Sequence, residues 1–142
     1  MLPFSDGKEP RVALEIMTIL PSNDTVVFVG THLDHTSNEY DRITQATKIN
    51  QAYSDAQYPT ILAGDLNDFP GSSTIDILEE FWTSSYNKEN PAFTYPSDNP
   101  TKKIDYIMFY PGNRWRILEV KVVCDSVASD HCAYLVVLEL LY

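Results

Sequence analysis

Thr60-Ile61-Leu62-Ala63-Gly64-Asp65-Leu66-Asn67-Asp68 is an apolar run that ends abruptly in two carboxylates and an amide. A short continuous apolar run followed by turn residues reads as a buried strand. The pattern recurs. Val26-Val27-Phe28-Val29 leads into Thr31-His32-Leu33, and Ser129-Asp130-His131 precedes Ala133-Tyr134-Leu135-Val136-Val137-Leu138. Strand ends are rigid and open onto a cleft, so polar side chains delivered there have the layout of an active site. Two histidines, several aspartates and one asparagine fit metal-assisted attack on a phosphorus ester.

Outward from these strands, residues 12–20 read as a strand and 21–24 as a turn, giving a hairpin with 26–30. Ile43, Ala46, Ile49, Ala52 and Tyr53 recur at helical spacing, which predicts an amphipathic helix from 39 to about 56, capped by Ser37 or Asn38. Residues 68–72 form a turn. Ser73-Thr74-Ile75-Asp76 resembles a capping signal for a short helix through Phe81. Residues 83–103 carry three prolines and read as a long loop, whose stretch from Pro91 to Pro100, with Phe93 and Tyr95, borders the site. Strands follow at 104–110, 116–124 and 133–141, with a turn at Pro111-Gly112-Asn113. This is a single α/β domain, a mixed or antiparallel sheet covered by a few helices.

Composition narrows the function classes. Across 142 residues, 44% are hydrophobic and 21% charged, enough for one cored domain. No apolar stretch approaches the ~18 residues that span a bilayer. Met1-Leu2-Pro3-Phe4-Ser5-Asp6-Gly7 lacks the basic-then-apolar order of a signal peptide. The net charge of −10 repels a polyanion, which favours a small phosphoester or a headgroup over long nucleic acid. A bound cation would reverse that sign locally. Cys124 and Cys132 flank a turn between strands, where a bridge can form. The preferred reading is two buried thiols, and their spacing is not that of a zinc site.

Each polar residue has a chemical use and a plainer one. Asp65 and Asn67, two apart at a strand end, can both point into one cleft. The carboxylate would orient or deprotonate a water, and the amide would contact a phosphate oxygen. The same residues are also good turn formers. Asp105 lies inside the apolar strand 104–110, a costly place for an unpaired charge, so it is read as the partner of His131 rather than as a solvent-facing edge residue. Asp130 and His131 diverge, one toward a metal and the other toward the phosphate. His32 would donate to a phosphate oxygen or protonate a leaving group. Asp34 and His35 are read as loop-shaping or His-supporting residues, and Arg42 as a solvated helix charge rather than a substrate contact.

Four segments together resemble the endonuclease/exonuclease/phosphatase family: Thr31-His32-Leu33-Asp34-His35, Gly64-Asp65-Leu66-Asn67-Asp68, Lys103-Ile104-Asp105-Tyr106-Ile107 and Ser129-Asp130-His131. The resemblance runs from about residue 11 to 141. It implies a DNase I-like four-layer α/β sandwich of which this chain holds the C-terminal half. Helices would cover one face of its sheet and leave the other apolar face open. It implies catalytic roles for His32, Asp65, Asn67, Asp105 and His131, and a Mg2+ or Mn2+ held by Asp130, Asp65 and Asn67. The family's principal metal-binding Glu has no counterpart here, since Glu9 and Glu15 do not match its place. The expected consequences are weak or absent activity and an open sheet face covered by a second copy in a homodimer, by a partner chain that supplies the missing half, or by the remainder of a longer gene product. The rival expectation is a non-catalytic module that binds a partner on that face.

Overall fold

The computed structural model describes residues 1–142. The elements run β1 (Ala13–Ile19), β2 (Thr25–His32), α1 (Tyr40–Tyr53), β3 (Thr60–Asp65), α2 (Ser73–Glu79), β4 (Thr83–Ser84), β5 (Asp105–Tyr110), β6 (Trp115–Val123) and β7 (Ala133–Leu140). A five-stranded sheet has the order β1-β2-β3-β5-β4, and β6 and β7 form a separate two-stranded sheet. Only β2 and β3 are parallel, because α1 carries the chain back to the starting edge, while the other neighbours are antiparallel.

Side chains alternate across the strands. On one face Val27, Val29, Leu62 and Met108 join Ala46 and Ile49 of α1 and Ile75 and Leu78 of α2 in a core of 14 buried residues. Trp82 closes its far end, its indole N–H donating to Asn50 Oδ1 at 3.0 Å. Ser72 caps α2 by accepting from Ile75 N, one residue earlier than the sequence signal suggests. The N-cap of α1 is Glu39, which makes no side-chain capping bond, rather than Ser37 or Asn38; Asn38, one residue earlier, accepts from Tyr40 N through Oδ1 at 3.0 Å.

The opposite face is also apolar. Val26 and Phe109 pack there against Trp115 of β6. Beyond them the hairpin stands off, leaving an apolar groove of about 380 Å3 between the sheets, lined by Phe28, Ile61, Ile107, Leu138 and neighbours. At the β1 edge the face is open, with Leu14 69% and Ile16 60% exposed. No helix is long and apolar enough to cross a membrane.

Two expectations are corrected. Cys124 and Cys132 are not free thiols: they form a disulfide, S–S 2.10 Å. They occupy the next cross-strand position beyond the last pair of the β6–β7 ladder, Val123↔Ala133, so register brings them face to face. Arg42 is not a solvated charge. It is buried, with Nε 3.0 Å from Asp68 Oδ2 and Nη1 donating to the carbonyls of Asp34 and Thr36.

Candidate active site

The strand register builds the site. His32 lies opposite Asp65, and Asp65 lies opposite Asp105, so three strand ends place one imidazole and two carboxylates in a row. Directly paired residues project to the same face. The row is therefore on the inner face, at the rim of the apolar groove. The close approach of β2 and β3 here requires Gly64. Its φ is +155°, and a Cβ would meet the Thr31 carbonyl oxygen at 1.8 Å.

His131 comes from the loop before β7. Its Nδ1 is 3.0 and 3.1 Å from the two Asp105 carboxylate oxygens. An ionised carboxylate only accepts, so Nδ1 carries the proton and Nε2 is left for the cleft. That Nε2 is 3.8 Å from Asp65 Oδ2, and His32 Nε2 is 3.6 Å from the same oxygen. Thr94, fully buried, accepts from the backbone N–H groups of Ile104 and Asp105 and fixes the start of β5.

Just past β3 the chain turns sharply, with Asn67 at φ +52°. Asp65 Oδ1 accepts from Asn67 N at 2.8 Å, and Asn67 Nδ2 donates to the Leu33 carbonyl at 3.0 Å. The amide oxygen of Asn67 is thereby left available. Asp130 lies on the same cleft wall but is exposed. The cleft, of about 700 Å3, brings together His32, Asp65, Asn67, Asp130 and His131, with Asp105 behind His131. Phe69, Phe93 and Tyr95 form an aromatic rim, so the loop expected to border the site does so.

The electrostatics follow from the geometry. Burial pushes the Asp65 carboxyl above the usual carboxylate range. The Asn67 N–H opposes this, the Asp105 charge adds to it, and the two histidines draw it back. For His131, burial disfavours the imidazolium, but the hydrogen bond and charge of Asp105 outweigh it and the value rises. Asp34 is held below its ordinary value. Burial works against that, but the hydroxyl and backbone N–H of Thr36 prevail, which makes Asp34 a loop-shaping residue as expected.

Asp65, Asp105 and His131 have ligand atoms within 4.8 Å of one another. Both Asp105 oxygens already face His131 Nδ1, so Asp105 is committed to orienting that ring. Asp65, Asn67 and Asp130 also line the cleft, oxygen-bearing side chains of the type a hard cation takes, and a cation beside Asp65 would relieve its repulsion with the Asp105 carboxylate.

Four residues, Lys103, Arg42, Asp68 and Tyr95, make contacts that the sequence reading does not assign. Lys103 is 1% exposed, with Nζ 2.5 Å from the Asp105 carbonyl oxygen and 3.2 Å from the centroid of the Tyr134 ring. Burial pushes it down to about 7, against the pull of Asp105. Tyr106 and Tyr86 complete an aromatic box that favours the ammonium. The sequence signal was a lysine two residues before an embedded Asp. The Arg42–Asp68 pair forms part of the cleft wall. Tyr95 packs against His131 with centroids 4.9 Å apart.

Residues 6–131 match the model of the endonuclease/exonuclease/phosphatase family. A functionally unknown conserved protein from Enterococcus faecalis V583 superposes with TM-score 0.79 at 24% identity, over 97% of this chain and 60% of its own. An endonuclease/exonuclease/phosphatase from Bacteroides vulgatus gives 0.77 at 22%, over 92% and 56%. A mannosyl-6-phosphatase from Bacteroides thetaiotaomicron VPI-5482 gives 0.71 at 18%, over 95% and 59%. At these identities the likeness establishes the fold, a DNase I-like one. The chain spans less than two thirds of each of these structures. No curated protein sequence matches the chain significantly.

Proposed function

The chain belongs to the endonuclease/exonuclease/phosphatase family, and on that premise we propose that its cleft binds and hydrolyses a phosphoester with the help of a divalent cation. The observation that carries this is the row His32, Asp65, Asp105 across three strand ends, with His131 held over it by Asp105. Asp65, Asn67 and Asp130 would hold Mg2+ or Mn2+, which when bound supplies positive charge to the phosphoryl oxygens.

The chain's own groups do the rest. Asp65 orients a water and accepts its proton, a role suited to a carboxylate whose basicity is raised by burial. Asp105 fixes the His131 tautomer, and its charge favours the imidazolium, so Nε2–H donates to a phosphoryl oxygen. His32, 55% exposed, donates to the phosphate or the leaving group. The acidic chain favours a small phosphoester or headgroup over long nucleic acid.

These 142 residues are proposed to supply one half of the site, without the family's principal metal carboxylate, so turnover is expected to be slow. The test is hydrolysis of bis-p-nitrophenyl phosphate and p-nitrophenyl phosphate with and without Mg2+. The expected result is weak, Mg2+-dependent turnover that Asp65→Ala abolishes. Turnover that survives both Asp65→Ala and His131→Ala would overturn the assignment. Fast turnover would overturn the half-site reading.

The open apolar face at Leu14 and Ile16 supports a second reading, a module whose sheet face binds a partner, in the simplest case a second copy in a two-fold dimer. Sedimentation at micromolar concentration tests this. A dimer supports it, and a monodisperse monomer sinks the homodimer.

A further inference from the structure

The loop that carries His131 has almost nothing to hold it by packing. Residues 124–130 are all exposed, and Val127 is 96% exposed. Within the loop the bonds are local: Ala128 N and Ser129 N donate to the Asp125 carbonyl, and His131 N donates to Ser129 Oγ. Its links to the rest of the molecule are few. Ser97 N donates to the Asp130 carbonyl at 2.8 Å, Ser97 Oγ to the Ser129 carbonyl at 2.6 Å, and Cys132 N to the Thr94 carbonyl at 2.7 Å. Each is a neutral bond of modest net worth, and the His131 ring adds its hydrogen bond to Asp105 and its contact with Tyr95. The disulfide between Cys124 and Cys132 closes the base of this loop, and Cys132 is the residue after His131.

We propose that the Cys124–Cys132 disulfide is the positioning clamp that keeps His131 seated over Asp105 and Asp65, which ties the competence of the cleft to thiol redox state. A covalent link across a short exposed loop removes the open conformations that hydrogen bonds alone would leave populated. The bond is accessible from outside, because Cys124 is exposed while Cys132 is buried. An external dithiol can open it by ordinary exchange. One thiolate attacks Cys124 Sγ, and Cys132 leaves as a thiolate and takes up a proton. The second sulfur of the dithiol then displaces Cys124 and closes on itself as a disulfide. Two electrons pass to the protein, and the loop keeps only its non-covalent links, the three to Ser97 and Thr94 and that of His131 Nδ1 to Asp105.

The functional meaning rests on reading the cleft as a phosphoester site, but the test reads the loop directly and so fails independently of that reading. The 142-residue chain is followed by NMR before and after treatment with dithiothreitol. The expected result is loss of the cross-peak between the His131 and Tyr95 rings. Amide exchange should accelerate about tenfold or more at Ser97 and Cys132, with no change at Leu62 and Met108 in the sheet. Unchanged His131–Tyr95 contact and unchanged exchange after reduction would overturn the proposal. If reduction melts the whole chain, Cys124→Val/Cys132→Val decides. A folded variant with a released loop supports the clamp, while a folded variant with an intact ring contact, or a variant that does not fold, overturns it.

Discussion

Asp68→Asn should destabilise the protein by about 3–5 kcal/mol, the usual cost of removing one partner of a buried ion pair. The structure sets the scale. Arg42 Nε is 3.0 Å from Asp68 Oδ2, and both side chains are less than a tenth exposed. At an effective dielectric of about 20, that attraction is roughly 5 kcal/mol before desolvation. The variant keeps the guanidinium buried with only neutral acceptors, the Asp34 and Thr36 carbonyls and the amide oxygen introduced at position 68, and no counter-charge. These two carbonyls belong to the loop after His32, so the loss falls on the wall of the cleft. In urea, the midpoint should drop with an unchanged slope, and the thermal midpoint should fall by about 10 °C. Arg42→Met/Asp68→Leu should recover much of the loss, because an apolar pair leaves no charge stranded. A cost below about 1 kcal/mol for Asp68→Asn would refute the reasoning and mean that water compensates Arg42.

Three further outcomes are expected. His131 titrates above its ordinary value, so the stability it contributes is full below the unfolded value near 6.5 and is lost as pH rises through the folded one. Urea unfolding should therefore show a larger gap between wild type and Asp105→Asn at pH 5.5 than at pH 8.5, and an equal gap would contradict the pairing. Gly64→Ala should cost more than about 3 kcal/mol or prevent folding, since its Cβ would overlap the Thr31 carbonyl; circular dichroism and urea melts check this. Leu14→Lys/Ile16→Lys should leave the thermal midpoint within a few degrees, because both side chains are mostly exposed in the monomer, and should abolish any self-association seen by sedimentation.

The strands other than β4, which falls in the expected loop, both helices and the grouping of His32, Asp65, Asn67, Asp130 and His131 in one cleft were legible because each is a local signal. Apolar runs mark buried strands, and a polar residue that ends one has nowhere to go but the sheet's edge. Asp105 was legible for the opposite reason, as a charge in the middle of an apolar run that needed a partner. What local pattern did not carry was long-range pairing. Arg42 has the spacing of a surface helix residue, and only the turn after β3 brings Asp68 to it. Lys103 reads as a loop lysine until Tyr86 and Tyr134, from two distant segments, join the neighbouring Tyr106 around it. The cysteines read as buried thiols because residue type favours burial, whereas their fate is set by strand register, which places them directly opposite. The separation of β6 and β7 into a sheet of their own is likewise a matter of pairing that single-strand patterns do not encode.

The central claim is that the strand-end row forms a cation-assisted phosphate site, and the most direct measurement is an NMR titration of the chain with Mg2+ and inorganic phosphate. The account predicts that resonances of His32, Asp65, Asn67, Asp130 and His131 shift together, that those of Val26 and Leu138 in the apolar groove stay put, and that Asp65→Asn removes the response. Shifts that are absent at the row, or that persist unchanged in Asp65→Asn, would contradict it.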